Sequence, residues 1–94
     1  MQQDERSIVH NRIKKIYEAV LGRLLTGDEL VDGESLLDRL LIDSLSSLQI
    51  IIKIEQEFNV IIEDDDLAIR LVDSIQLLID YILEYQRGDN GKEK

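Results

Sequence analysis

Apolar residues recur at steps of three and four along most of the chain, which is the spacing that predicts helices with one buried face. In the first such segment, Ser7 is a candidate N-terminal cap and Thr26-Gly27 is a candidate stop. Gly22 lies inside this pattern and weakens it by about 1 kcal/mol relative to alanine. The predicted apolar face consists of Val9, Ile13, Ile16, Tyr17, Val20 and Leu24.

Residues 28–43 follow no regular period. Residues 28–35 have the composition of turns, and the apolar residues after them are Leu36, Leu37, Leu40, Leu41 and Ile42. We expect a long connection that lies across the core and is held there by these side chains. A loop of this length in a compact domain is uncommon and is often functional.

Residues 44–58 predict a second helix, which Asp43 or Ser44 could cap. At about 100° per residue, this helix has two apolar sides, one formed by Ile50, Ile51, Ile54 and Phe58 and the other by Leu45, Leu48 and Ile52. Another part of the chain could bury the second side, a partner could bind it, or it could flank an apolar cargo. Periodicity alone leaves core burial and partner contact open.

The rest of the chain predicts one short helix and one long one. The acidic residues 63–66 suit the first turn of a helix over residues 67–71. Asp73-Ser74 is the predicted cap of a last helix with Ile75, Leu78, Ile79 and Ile82 as its apolar face. We expect an all-α bundle of three main helices and one short third helix. Residues 1–86 would form a single domain, and residues 87–94 a disordered polar tail.

The composition narrows the classes of function. The 94 residues carry 20 acidic and 11 basic side chains, a net charge of −9, which disfavours nucleic-acid binding. Such a charge would attract partners with basic patches, but composition alone favours the simpler role of keeping a small protein in solution. The chain has no cysteine, and hence no disulfide, thiolate nucleophile or cysteine-ligated metal. Its longest apolar run, residues 50–52, is far too short to span a membrane. A soluble, cytoplasmic protein is expected.

Few side chains suit catalysis. His10 is the only histidine and lies among polar residues, and the acidic residues 63–66 lack the ligand pattern of a calcium loop. We therefore expect neither an enzyme nor a metal site. Ser44 stands at a helix start, where free N–H groups and the helix dipole favour an anion such as a phosphate. An ordinary cap is the alternative role for this serine.

The motif Asp43-Ser44-Leu45 resembles the signature of acyl and peptidyl carrier proteins. The resemblance spans about residues 6–86, because further segments fall at the spacing usual in that family: Ser35-Leu36, residues 55–60, residues 63–66 and residues 74–82. It implies a four-helix fold with a short third helix. It also implies a non-catalytic, monomeric carrier that bears acyl groups as thioesters.

The resemblance also implies a cofactor and a set of contacts. A phosphopantetheinyl transferase would use coenzyme A and magnesium to attach 4′-phosphopantetheine to Ser44, and Asp43 would help to hold the magnesium of that enzyme. The arm would supply the thiol that this chain lacks. Partner enzymes that transfer or activate acyl groups would be met through Leu45, Leu48, Ile52, Glu55, Glu57 and Asp64.

This chain departs from the family pattern near the expected attachment site. Leu41 stands where the family usually has glycine, and the second helix carries Lys53 together with uncharged residues at positions that are commonly acidic in fatty-acid carriers, namely Ser46, Gln49 and Gln56. We therefore expect a free-standing acyl carrier for fatty acids or for a specialised lipid or secondary metabolite. A peptidyl or D-alanyl carrier, and an unmodified interaction module, are the alternatives.

Overall fold

The computed structural model describes residues 4–26, 29–30 and 35–92, with side chains described as far as Gly88. These residues form helices and no strand, which confirms the all-α class. The three main helices and the short helix of the expected bundle are present, and a single-turn helix lies in the predicted connection. The helices are α1 (Glu5–Leu21), α2 (Leu36–Arg39), α3 (Ser44–Phe58), α4 (Asp65–Asp73) and α5 (Ile75–Lys92).

Helix α1 begins before the predicted position. Its N-terminal cap is Asp4, whose side chain accepts a hydrogen bond from the backbone N–H of Arg6. Ser7 lies inside the helix, so its prediction as the cap was wrong. An aspartate with an extended backbone just before the first turn satisfies the free N–H groups there and leaves Ser7 no capping role.

Helix α1 also ends before the predicted stop. Gly22 takes the left-handed conformation, with φ of 75°, and donates its N–H to the carbonyl of Glu18 at 2.9 Å. Gly22 is therefore the end of the helix and not a weak point inside it, as is common for a glycine at this position. Leu24 then falls beyond α1 and is exposed, not part of the buried face. Gly27 lies outside the described residues.

The connection between α1 and α3 is partly helical. Ser35 caps α2, and Leu36, Leu40 and Ile42 are buried, as expected for side chains that hold the connection on the core. Leu41 is instead exposed, because its left-handed backbone turns its side chain outward. Residues 28 and 31–34 of the predicted turn region lie outside the described part of the chain.

Buried side chains of all five helices form one apolar cluster. Tyr17 is fully buried within it, and its hydroxyl donates to the carbonyl of Val72 at 2.7 Å. At the end of α4, the carboxylate of Asp73 accepts hydrogen bonds from the hydroxyl of Ser35 and from the N–H of Leu37. These bonds fasten α1 and α2 to the end of α4, and they fix the start of the segment that leads to Ser44.

Helix α5 begins as predicted and ends later. The Ser74 hydroxyl accepts from the N–H of Leu77, and its carbonyl accepts from Leu78. The helix continues to Lys92, so residues 87–92 are helical where the sequence indicated a disordered tail. The chain has no proline to interrupt the hydrogen-bond ladder in this segment. Residues 93–94 lie outside the described residues.

Candidate functional site

Ser44 is the first residue of α3 and is exposed. Its hydroxyl makes no hydrogen bond to the described residues. The four-residue connection from α2, residues 40–43, is anchored by the buried side chains of Leu40 and Ile42. The chain therefore holds a free hydroxyl in a fixed place on the surface of the bundle.

Asp43 is the N-terminal cap of α3, which decides between the two predicted caps. Its Oδ1 accepts from the N–H of Ser46 at 2.8 Å, and its carbonyl accepts from the N–H of Ser47 at 2.9 Å. The bond from the Ser46 N–H stabilises the charged carboxylate and lowers the pKa of Asp43. Because Asp43 does the capping, the hydroxyl of Ser44 is left available for chemistry.

The two apolar sides of α3 have different surroundings. Ile50, Ile51, Ile54 and Phe58 are buried in the core. Leu45, Leu48 and Ile52 are 64%, 55% and 43% exposed, respectively. The described part of the connection between α1 and α3 therefore does not bury this second side. Exposed apolar side chains that lie together on a surface favour contact with a partner or a cargo.

A groove of about 520 Å³ runs between α3 and α4 and has Ser44 at its edge. Its lining combines a largely apolar wall with a few polar groups. Of the residues that the sequence singled out, five line this groove: Asp43, Ser44, Leu48, Ile52 and Glu55. An apolar chain attached near Ser44 would find a half-open channel of suitable character directly beside it.

Leu45, Glu57 and Asp64 do not line the groove. Asp64 caps α4 by accepting from the N–H of Asp66 at 2.9 Å. Glu57 pairs with Arg12 of α1 at 2.6 Å, so part of its charge is neutralised within the chain. Of the predicted acidic residues, Asp43 and Glu55 therefore line the groove together with Ser44, whereas Glu57 and Asp64 do not.

Glu55 has a structural contact as well as a place in the groove. Its Oε2 accepts from the N–H of Ile62 at 2.8 Å, which holds the segment after α3 against the helix. This carboxylate therefore helps to close one wall of the groove.

Other groove residues were missed by the sequence analysis. Helix α4 contributes Ala68 and Ile69, and α2 contributes Leu37. Ile69 is half exposed and lies in sequence between Ala68 and Leu71, beside the stripe of Leu67, Ala68, Leu71 and Val72 that faces the core. An apolar residue beside the buried stripe of a short helix was the signal for it in the sequence.

Two further features outside this groove offer little chemistry. A second groove, between α1 and α3, is lined by Arg12, Lys15 and Lys53 among others. His10 lines only a shallow polar depression. Among the described residues, no three histidine or carboxylate side chains come together as a metal site, and no helix is long and apolar enough to cross a membrane.

Comparison with known proteins identifies the family of the chain. The sequence profile of the family described as "Phosphopantetheine attachment site" matches residues 11–82, which include α2, α3, α4, most of α1 and the first part of α5. The chain is also similar to the protein named "Acyl carrier protein" from Buchnera aphidicola subsp. Schizaphis graminum (strain Sg). The two are 35% identical over 74 residues, which cover 79% of this chain and 89% of that protein.

Proposed function

The chain belongs to the acyl carrier protein family, whose members bear a phosphopantetheine attachment site, and from this premise we propose that Ser44 is the attachment residue. The observation that carries the proposal is the free, exposed hydroxyl of Ser44 at the N-terminus of α3 and at the edge of an apolar groove. The proposed role is a carrier of acyl thioesters for fatty-acid or specialised lipid synthesis.

The serines beside Ser44 are poorer candidates for the same modification. Ser47 is buried, so a transferase could not reach its hydroxyl without opening the helix. Ser46 is partly buried, in the first turn of α3, and its N–H is bonded to Asp43. Only Ser44 combines exposure with a place at the start of the helix, where the dipole and the unpaired N–H groups favour the phosphate of the arm.

The attachment reaction needs a nucleophile and a leaving group. The Oγ of Ser44 forms a bond to the phosphorus that carries pantetheine in coenzyme A. The bond from that phosphorus to 3′,5′-ADP breaks, and the serine proton passes to a base of the transferase. Asp43 adjoins Ser44 and is an exposed carboxylate, ionised at neutral pH, so it suits a role as one ligand of the magnesium of the transferase. The remaining ligands would come from the enzyme and its substrate.

The groove provides a place for the cargo. The arm supplies a thiol that forms thioesters, which this cysteine-free chain cannot do with its own side chains. Leu48, Ile52, Ala68 and Ile69 would cover an apolar acyl chain, and burial of each methylene is worth about 0.8 kcal/mol. The half-open form of the groove would let a partner enzyme withdraw the cargo.

Partner enzymes would approach from the exposed side of α3. Leu45 is the apolar residue next to Ser44, and the net charge of −9 favours enzymes with basic patches. Glu55 and Asp64 would add acidic contacts beside the groove. Lys53 and the uncharged residues of α3 make this helix less acidic, which supports a partner set different from that of a general fatty-acid carrier.

The test is the intact mass of the chain after incubation with coenzyme A, magnesium and a broad-specificity phosphopantetheinyl transferase. We expect one phosphopantetheine on the wild-type chain and on the matched control Ser46→Ala, and none on Ser44→Ala. Because Asp43 and not Ser44 caps α3, Ser44→Ala should keep its helical circular dichroism. Equal addition to Ser44→Ala would reject Ser44 as the site. If the wild-type chain gains no mass while another carrier protein is modified in a parallel reaction, the carrier function is rejected.

A further inference from the structure

Three of the helices are followed, within two residues of their last position, by a residue with left-handed backbone. These residues are Gly22, Leu41 and Asn59, with φ of 75°, 57° and 57°. After α2, the N–H of Ile42 bonds to the carbonyl of Leu37 at 2.9 Å, and after α3 the N–H of Val60 bonds to the carbonyl of Glu55 at 3.3 Å. In both cases the N–H after the left-handed residue bonds to the carbonyl five positions earlier, which closes the helix end. Glycine and asparagine adopt the left-handed conformation at this position most readily. Leucine is the exception, because its Cβ crowds the backbone in this conformation.

Packing within the chain does not account for a leucine at this position. Leu41 is 86% exposed, the highest value among the large apolar side chains that the structure describes. Glycine would close the helix end equally well, without strain and without an apolar side chain in water. Leu41, three residues before Ser44, therefore combines a strained left-handed backbone with an apolar side chain exposed to water. Strain of this kind is characteristic of functional sites.

Leu41 is one of three exposed leucines close to Ser44 in the sequence. Leu41, Leu45 and Leu48 are all more than half exposed, and Ser44 lies between the first two in sequence. Leu41 has exposed charged residues of both signs beside it along the chain, Arg39 two positions before it and Asp43 two positions after it. An apolar centre with a charged surround fits a partner surface that has an apolar pocket and a polar rim.

We propose that Leu41 is a docking anchor that enters an apolar pocket of the transferase that modifies Ser44. This inference rests on the proposed function. The transferase must bring its reacting groups to the Oγ of Ser44 itself, so its contact surface must include the neighbouring connection. Enzymes that act at the far end of the arm have no such requirement. A second copy of this chain is a poorer occupant, because two surfaces of a protein with a net charge of −9 repel each other.

The experiment measures the kinetics of Ser44 modification with the phosphopantetheinyl transferase from the cell in which this chain is made. Leu41→Gly and Leu41→Asn remove the apolar side chain and keep a residue suited to the left-handed conformation. Leu41→Met keeps an apolar side chain. The matched control is Asn59→Gly, which changes a residue of the same φ at the opposite end of α3.

We expect the KM for the carrier to rise about tenfold or more in Leu41→Gly and Leu41→Asn, from the loss of one buried leucine side chain, with kcat within about twofold of wild type. Leu41→Met and Asn59→Gly should retain the wild-type values. Neither Leu41→Gly nor Leu41→Asn should lower the thermal midpoint, so misfolding would not explain a higher KM.

Unchanged kinetics in Leu41→Gly and Leu41→Asn would overturn the anchor role while leaving the attachment at Ser44 intact. A fall in kcat without a rise in KM would also overturn it, because Leu41 would then position Ser44 and not dock the enzyme. An equal rise in KM for Asn59→Gly would trace the effect to helix ends in general and reject the role. If the transferase leaves the wild-type chain unmodified, it is the proposed function that fails.

Discussion

The hydroxyl of Tyr17 donates a hydrogen bond of 2.7 Å to the carbonyl oxygen of Val72 and so joins α1 to α4 inside the core. Burial of the ring, together with the nearby charge of Asp73, raises the pKa of Tyr17 far above its usual value of about 10. The folded chain therefore keeps this proton under alkaline conditions in which the unfolded chain has lost it.

The alkaline stability of the chain tests this bond. Because the folded-state pKa of Tyr17 is raised, its contribution is fully present below pH 10 and declines above it by about 1.4 kcal/mol per pH unit. The free energy of unfolding, measured by urea titration, should therefore fall less steeply with pH in Tyr17→Phe than in the wild type between pH 10 and 11.5. Equal slopes for the two proteins in that range would show that Tyr17 does not titrate on unfolding.

Asp43 gives a prediction at acidic pH. Its folded-state pKa is lowered, so the carboxylate cap stabilises α3 above the usual aspartate pKa and is lost as pH falls through the lower folded value. Asp43→Ala should lower the thermal midpoint at pH 7, whereas Asp43→Asn, which retains a capping oxygen, should lower it less. The difference in midpoint between wild type and Asp43→Asn should shrink toward pH 3. A difference that is constant with pH would argue against a charged cap.

The stability of Leu41→Gly measures the strain at the end of α2. Glycine removes the strain of a left-handed leucine, which stabilises the fold, but it also gives the unfolded chain more conformational entropy, which opposes folding. The net effect should be a rise of about 0.5–1 kcal/mol in the free energy of unfolding. Asn59→Gly should change it by less, since asparagine already tolerates this backbone. Urea titration of the three proteins gives the values. A loss of stability in Leu41→Gly would mean that the exposed side chain makes a stabilising contact.

The role of the groove between α3 and α4 as the cargo site can be tested by filling the groove with a larger side chain. Loading the chain with an octanoyl-pantetheine arm should raise its thermal midpoint above that of the chain with the free-thiol arm, because the acyl chain is covered. Ala68→Phe should abolish this rise by filling the groove. Ala19→Phe places the same side chain in the other groove, between α1 and α3, and should keep the rise.

The comparison between the acylated and free-thiol forms of each variant cancels any effect of the substitution on the fold itself. A full rise in acylated Ala68→Phe would contradict the assignment of this groove to the cargo.

Much of the local structure could be predicted from the sequence. The bounds of α3, residues 44–58, agree with the structure because its apolar pattern is strong and an aspartate directly precedes it. The acidic start of α4 and the role of Ser74 agree for the same reason: a polar side chain at a helix start has a local function that the sequence alone indicates.

Tertiary features could not be predicted in the same way. Gly22 in an apolar repeat is compatible with a helix interior and with a helix end, and only the φ of 75° decides between them. The exposure of Leu41 depends on a left-handed backbone, which a leucine gives no reason to expect. The groove depends on how α4 packs against α3, so the sequence around Ala68 does not indicate that this residue lines a groove.

The most direct test of the account is the mass of the chain isolated from the cells that make it, measured intact and by fragmentation. We predict a phosphopantetheine on Ser44, with a fraction of molecules carrying an additional acyl mass that hydroxylamine removes, as expected for a thioester. An unmodified chain, or an arm on another serine, would contradict the claim that Ser44 carries acyl groups.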